Sequence, residues 1–324
     1  MTLEALAGAL RHHPSIRGKL AIAGATGALG LHHESIGRPG DDAAILPREG
    51  GGYDLLAGEG FIPQFVAADP WFAGWCGVMV NLSDIAAMGG RAHALIDQVW
   101  APSPEAARPL MQGLRDAADA YGVPIVGGHT NYGSPALGLA VTVFGSANAL
   151  ITSFDAEPGD VLLAAIDMRG SYRPPFDNYC ASLDVPPARL RGDLALLPEL
   201  AESGLVRAGK DISQGGIVGT ALMLAECSGV AVTLDVDNIP LPADVALERW
   251  LRTFPSFGYL LSVKPDDAGA VRAHIAARDI AVAEIGRVQR GSTVTLRSGS
   301  QSALFWDWKR EPYIRPTVAE PAHA

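Results

Sequence analysis

Asn81, Asp84 and Met88 stand three and four residues apart in the run Val80-Asn-Leu-Ser-Asp-Ile-Ala-Ala-Met-Gly-Gly90. On a helix that spacing puts a carboxamide and a carboxylate on one face. Alone, the pair also suits the polar end of a core helix; three other acidic or glycine-rich stretches shift the balance. In Gly40-Asp-Asp-Ala-Ala44, Asp41 and Asp42 repel each other in water, and a divalent cation turns that repulsion into binding. The plain structural alternative is a solvated turn. Glycines flank Glu59, and Gly127-Gly128 precede His129, where backbone amides can approach a phosphate closely. His129 can then serve as acid, base or phosphate donor, or as a hydrogen-bonded structural residue. Finally, Lys210-Asp-Ile-Ser-Gln-Gly-Gly216 runs into an apolar helix. The amides of Gly215 and Gly216 and the positive end of that helix suit a phosphate, with Asp211 and Gln214 placed for a cation or a ribose.

The elements that position these groups are legible. Asp69-Pro70 starts a helix whose stripe is Trp71, Trp75, Val78, Met79 and Leu82. A strand over 53–62 delivers Glu59, a strand over 91–100 follows the organising helix, and 104–121 is an amphipathic helix stopped by Gly122. Residues 123–131 read as a short strand opening into a glycine turn, and 136–144 as a buried strand. Residues 1–11 predict a short helix, and the glycines of 21–30 a mobile segment able to fold over a ligand. The pairs His12-His13 and His32-His33 read as surface residues, because neighbouring side chains diverge. Past a boundary near 149–159, strands and helices alternate to about residue 306, with 170–187 as a loop. The expected organisation is an N-terminal domain over 1–150, a C-terminal domain over 151–310 and an extended, loosely held tail over 311–324.

At 324 residues, 48% hydrophobic and 19% charged, the sequence describes a globular protein with material for two cores. A formal charge of −10 without a basic run excludes a phosphate-backbone binder, so no nucleic-acid partner is expected. Cys76, Cys180 and Cys227 are too scattered for a disulfide framework or zinc site. With neither a signal peptide nor a membrane span in the pattern, the expected location is the cytoplasm.

In order, Gly40-Asp-Asp-Ala-Ala44, Asn81-Leu-Ser-Asp-Ile-Ala-Ala-Met-Gly89, Gly127-Gly128, Asp211-Ile-Ser-Gln-Gly-Gly216 and Phe257-Gly-Tyr-Leu-Leu261 resemble the aminoimidazole ribonucleotide (AIR) synthetase superfamily, in particular its synthetase-related subgroup. The resemblance covers roughly residues 35–290 and implies an α/β, PurM-like two-domain fold. In that fold the N-terminal domain pairs with its twin to form a β-barrel, the C-terminal domain is an α/β sandwich, and Mg-ATP lies between the parts. It implies that Asp41, Glu59, Asp84 and Asp211 hold Mg²⁺, assisted by Asp42. Asn81 would lie near the phosphates, with Gly127, Gly128 and the Ser213-Gln214-Gly215-Gly216 turn around the nucleotide. Two departures stand out from the thiamine-phosphate kinase pattern: His129 and Gln214 each replace a metal carboxylate. The implied activity is ATP-dependent phosphorylation of an amide or carboxyl-type oxygen in a small substrate, with Asp84 and His129 central. The alternatives are an ATP-binding homodimer assisting a partner enzyme, and a small-molecule kinase.

Overall fold

The computed structural model describes residues 1–32 and 34–315; His33 and the prolines at 316 and 321 lie outside the described residues. In chain order come α1 (Leu3–His12), α2 (Pro14–Arg17), α3 (Ala21–Ala28), β1 (Ala44–Pro47), β2 (Tyr53–Gly60), α4 (Pro63–Ala68), α5 (Pro70–Ala87), β3 (Arg91–Ala101), α6 (Pro104–Tyr121), β4 (Ile125–Tyr132) and β5 (Gly138–Ala147). The chain continues with β6 (Val161–Ile166), β7 (Ser171–Tyr172), β8 (Asn178–Cys180), α7 (Pro187–Glu202), β9 (Ala208–Asp211), α8 (Gly216–Ser228), β10 (Ala231–Asp235), α9 (Leu247–Leu251), β11 (Phe254–Pro255), β12 (Gly258–Val263), α10 (Ala268–Ala276), β13 (Ala281–Gln289), β14 (Thr293–Ser298) and β15 (Gln301–Asp307). These elements form a mixed α/β fold. Among the described residues, no helix is long and apolar enough to cross a membrane.

Two compact units result. The smaller comprises Asp42–Leu150 and Ser182–Gly204, the larger Met1–Asp41, Ile151–Ala181 and Leu205–Ala324. This differs from a single cut at residue 150, and the packing explains why. Leu3, Leu6 and Leu10 of α1 are buried in the same core as α8 and β15, so the N-terminal segment belongs with the C-terminal one. Conversely, α7 packs on α5 and α6.

In the smaller unit five strands run in the order β1-β2-β5-β3-β4, antiparallel except for β3 beside β4. Helix α5 begins as its sequence dictates: Asp69 accepts the Phe72 N–H at 3.1 Å, and Pro70 occupies the first turn. Helix α6 is capped by Ser103 and stopped by Gly122 at φ 73°. Alternation along the strands puts Leu55, Ala57, Leu95, Val99, Leu139, Val141 and Val143 on the buried, helix-covered face. Leu56, Ile96, Trp100 and Phe144 point the other way and remain exposed.

The larger unit is built on a seven-stranded sheet ordered β15-β14-β10-β13-β6-β12-β9, with a small sheet β11-β8-β7. Strands β7 and β8 occupy part of the stretch expected to be a loop, and residues 21–30, expected to be mobile, hold helix α3. The start of the expected tail is tied down. Tyr313 and Ile314 are buried, and their N–H groups donate to the two oxygens of buried Glu226 at 2.7 and 2.8 Å. The Tyr313 hydroxyl donates to Ile16 O at 2.9 Å, which closes the C-terminal segment onto the N-terminal one.

Cys227 lies in this core, and burial pushes its thiol up to about 12. Thiolate is the reactive form, so Cys227 is expected to stay unmodified by iodoacetamide at pH 8 in the folded protein and to react on unfolding. Peptide mass spectrometry checks this.

Candidate functional site

The register of the smaller sheet builds the centre of the site. Glu59 on β2 stands opposite Val141 on β5, Val141 opposite Asp97 on β3, and Asp97 opposite Gly128 on β4. One row therefore crosses four strands. Glu59 and Asp97 share the parity of Leu55, Leu95 and Val141, so both belong to the helix-covered face. Two strand spacings set their backbones roughly 10 Å apart, with Val141 between them.

Helix α5 lies on this row. A Cβ at Gly77 would come within 3.0 Å of Val141 Cγ2, so glycine lets the helix sit down on the strand. One turn later the Asn81 side-chain amide donates to Gly77 O at 2.7 Å. Its Oδ1 is buried without a hydrogen-bond partner among the described residues. An unsatisfied buried oxygen costs free energy unless a donor or cation meets it. Asp84, nearly one turn further, is buried as well.

Asp97 is the residue that the sequence reading missed. A Cβ at Gly128 would lie 2.5 Å from both Asp97 O and Asp97 Oδ1, so the carboxylate folds over the glycine. Burial pushes the Asp97 carboxyl above the ordinary Asp range, partly offset by its own backbone N–H. The only available signal was a lone acid at a core-facing position of an apolar strand.

Two expectations change here. Gly127 and Gly128 lie within the continuous strand β4 rather than in a turn, because Gly128 makes room for Asp97. His129 is in register with Gln98, which shares the open face with Ile96 and Trp100. His129 and Asp97 therefore belong to opposite faces of the sheet.

The other residues singled out from sequence divide between the units. Asp42 begins the smaller unit; Asp41, Asp211, Ser213, Gln214, Gly215 and Gly216 belong to the larger. Asp41 Oδ1 accepts the Ser153 N–H at 2.8 Å, and Asp211 ends β9 in a buried position. Gly216 N–H donates to Ser213 O at 2.9 Å, so that amide is already engaged within the turn.

Among the described residues, no three His, Cys, Asp or Glu side chains come close enough together to hold a metal ion. That excludes a protein-only cage of the zinc or calcium kind from the described residues. Mg²⁺ needs less than such a cage: it keeps several waters and is held by one or two carboxylates together with substrate phosphates. The donor chemistry fits: Glu59, Asp84 and Asp97 offer hard oxygens, and Asn81 Oδ1 is buried and unsatisfied.

Residues 40–147 match the family described as AIR synthase related protein, N-terminal domain, and residues 183–298 match its C-terminal domain. The chain belongs to the AIR synthase superfamily. It is 46% identical over 277 residues to an uncharacterized protein of Synechocystis sp., covering 85% of each chain. A selenide, water dikinase of Aeromonas salmonicida is 28% identical over 241 residues, covering 67% of this chain and 68% of that protein. Among solved structures, T. maritima PurL complexed with ATP superposes with a TM-score of 0.73 at 17% identity, covering 86% of this chain. This chain spans 47% of that one, so the likeness establishes the PurM-like fold.

Proposed function

We propose that this superfamily member is a Mg-ATP-dependent enzyme that phosphorylates an amide or carboxyl-type oxygen of a small substrate in the cytoplasm. Phosphorylation turns that oxygen into a leaving group, which a nitrogen or sulfur nucleophile displaces or which leaves in a dehydration. The observation that carries this reading is the Glu59–Asp97 row beneath the helix that bears Asn81 and Asp84. One or two of Glu59, Asp84 and Asp97 of the smaller unit would hold Mg²⁺, the rest of its shell being water and phosphate oxygens. The ion would neutralise phosphate charge, and the protein would contribute mainly positioning. Gly127 and Gly128 would line the nucleotide, and His129, on the other face of the sheet from Asp97, would take no part at the metal.

A second reading, an ATP-binding helper of a partner enzyme, is favoured by His129 and Gln214, which stand where carboxylates would strengthen metal binding. Calorimetry with Mg-ATP, followed by phosphate release across a panel of amide and carboxylate substrates, separates the two. Substrate-stimulated release of free phosphate supports the enzyme. Tight binding without turnover supports the helper, and a phosphorylated product supports a kinase. Absence of Mg-ATP binding would falsify all three.

The exposed apolar residues Leu56, Ile96, Trp100, Val126 and Phe144 form a surface of the kind that associating proteins cover. We assign it to a second copy of the chain, the barrel partner implied by the fold. Phe144→Asp is expected to convert a dimer to a monomer in light scattering without loss of secondary structure. A wild-type monomer at micromolar concentration overturns the assignment.

A further inference from the structure

Past Glu59 the smaller unit turns apolar. Residues 60–68, Gly-Phe-Ile-Pro-Gln-Phe-Val-Ala-Ala, carry no charge, although Glu59 and Asp69 flank them. The Phe61 N–H donates to Leu139 O at 2.9 Å, which extends the β2–β5 ladder past Gly60 and Ala140. Phe61 therefore shares the helix-covered face with Glu59, two residues away and about 7 Å along the strand.

Phe61 begins a row of three rings. Its centroid lies 6.1 Å from that of Phe65 on α4, with the planes inclined by 25°. Phe65 in turn lies 6.0 Å from Phe72 on α5, at 59°. Such spacings are those at which aromatic side chains attract one another. Exposure grades along the row: Phe72 is buried, whereas Phe65 and Phe61 are half-buried. The row thus runs from the core of α5 out to the Glu59 end of β2. Anchoring α4 does not require its outermost ring, because the fully buried Val66 already seats that helix against α5 and β5. Phe61 leaves part of an aromatic ring in solvent beside the exposed Glu59.

We propose that Phe61 and Phe65 receive an aromatic portion of the acceptor, joined directly to the carboxyl-type or amide group that is phosphorylated. The inference rests on the Mg-ATP reading and narrows its substrate class. Glu59 is one of the carboxylates able to hold Mg²⁺, so the reacting oxygen belongs at its end of the row. The ring of the acceptor then extends along β2 toward Phe61, a spacing that one ring with its carbonyl spans. Covering the half-buried phenylalanines removes apolar surface from water, and ring-on-ring contact fixes orientation. Residues 60–68 offer no charged side chain to a second phosphate or carboxylate, which would lose its hydration there unpaired.

The test uses the full chain saturated with the Mg²⁺ complex of a non-hydrolysable ATP analogue. The probes are benzamide and benzoate, with acetamide and acetate as their ringless counterparts. NMR titration is expected to give saturable binding of benzamide or benzoate, roughly tenfold or more tighter than the ringless counterpart. Phe61→Leu keeps an apolar side chain and loses the ring. It should lower that preference by about threefold or more, while nucleotide affinity stays within about twofold. Phe61→Tyr should preserve the preference. A merely structural Phe61 would lower the melting temperature when replaced by leucine and leave the preference untouched. The proposal is overturned if neither ring-bearing probe saturates, if the ringless probes bind as well, or if Phe61→Leu retains the full preference. Ring-dependent binding by wild-type protein that takes up no nucleotide sinks the Mg-ATP reading alone.

Discussion

Asp84→Asn is expected to lower nucleotide turnover by at least about 10²-fold, the size of effect seen when one preorganised electrostatic contact to a reacting group is removed. Asp84 is buried on α5, a helix that carries no other acidic residue, so the charge there serves no exposed surface network. Carboxylate and carboxamide have nearly the same shape, so packing is retained and only the charge is lost. Added Mg-ATP should raise the melting temperature of the wild type more than that of the variant. Phosphate-release kinetics and thermal unfolding with and without Mg-ATP read both effects. Wild-type turnover in Asp84→Asn would make the residue a buried polar helix end and nothing more. Asp97→Asn is the companion, since burial alone already disfavours the Asp97 carboxylate and a cation would offset that cost.

What the sequence disclosed follows from the range of each interaction. Asp69 and Gly122 act on amides three and four residues away, so the start of α5 and the end of α6 were readable locally. Leu3, Leu6 and Leu10 announced an amphipathic helix, but a stripe does not name its partner, and the core of the larger unit lies far along the chain. The glycines at 127–128 signalled a turn because the reason for Gly128 is a side chain on the neighbouring strand. Asp97 went unread for the same reason: its meaning comes from a register shared with Glu59, Val141 and Gly128. Neighbouring side chains diverge on regular elements, and His13 is not on one. It sits instead at the junction between α1 and α2, where its ring caps the second helix. The acidic motifs on α5 and the glycine-rich stretches were visible as chemistry; which face or unit each one joined was not.

Gly113→Ala is expected to destabilise the smaller unit although alanine is the better helix former. Propensity alone would favour alanine by about 1 kcal/mol in a helix interior. Against it stands the crossing of α5 and α6. A Cβ at Gly113 would lie 1.9 Å from Trp71 O, and one at Gly74 would lie 2.2 Å from Leu110 O. Both obstacles are backbone atoms of a neighbouring helix, so no rotamer change relieves them, and the helices must separate. Overpacking of this kind costs typically 1–3 kcal/mol, occasionally more, and a contact this short against backbone belongs at the upper end. The clash wins, with an expected net loss of about 2 kcal/mol, or roughly 4–8 °C in melting temperature at the scale of a 150–250-residue protein. Valine at the same position adds two more carbons to the gap and should cost more. Because α5 carries Asn81 and Asp84, the separation also moves the helix that bears them, so Mg-ATP affinity should fall together with stability. Gly8→Ala in α1, where a Cβ meets nothing within 4 Å, is the control: there propensity acts alone and stability should rise slightly. Differential scanning calorimetry of the three proteins decides the sign, and a Gly113→Ala protein that melts above the wild type would show that the two helices can yield without loss.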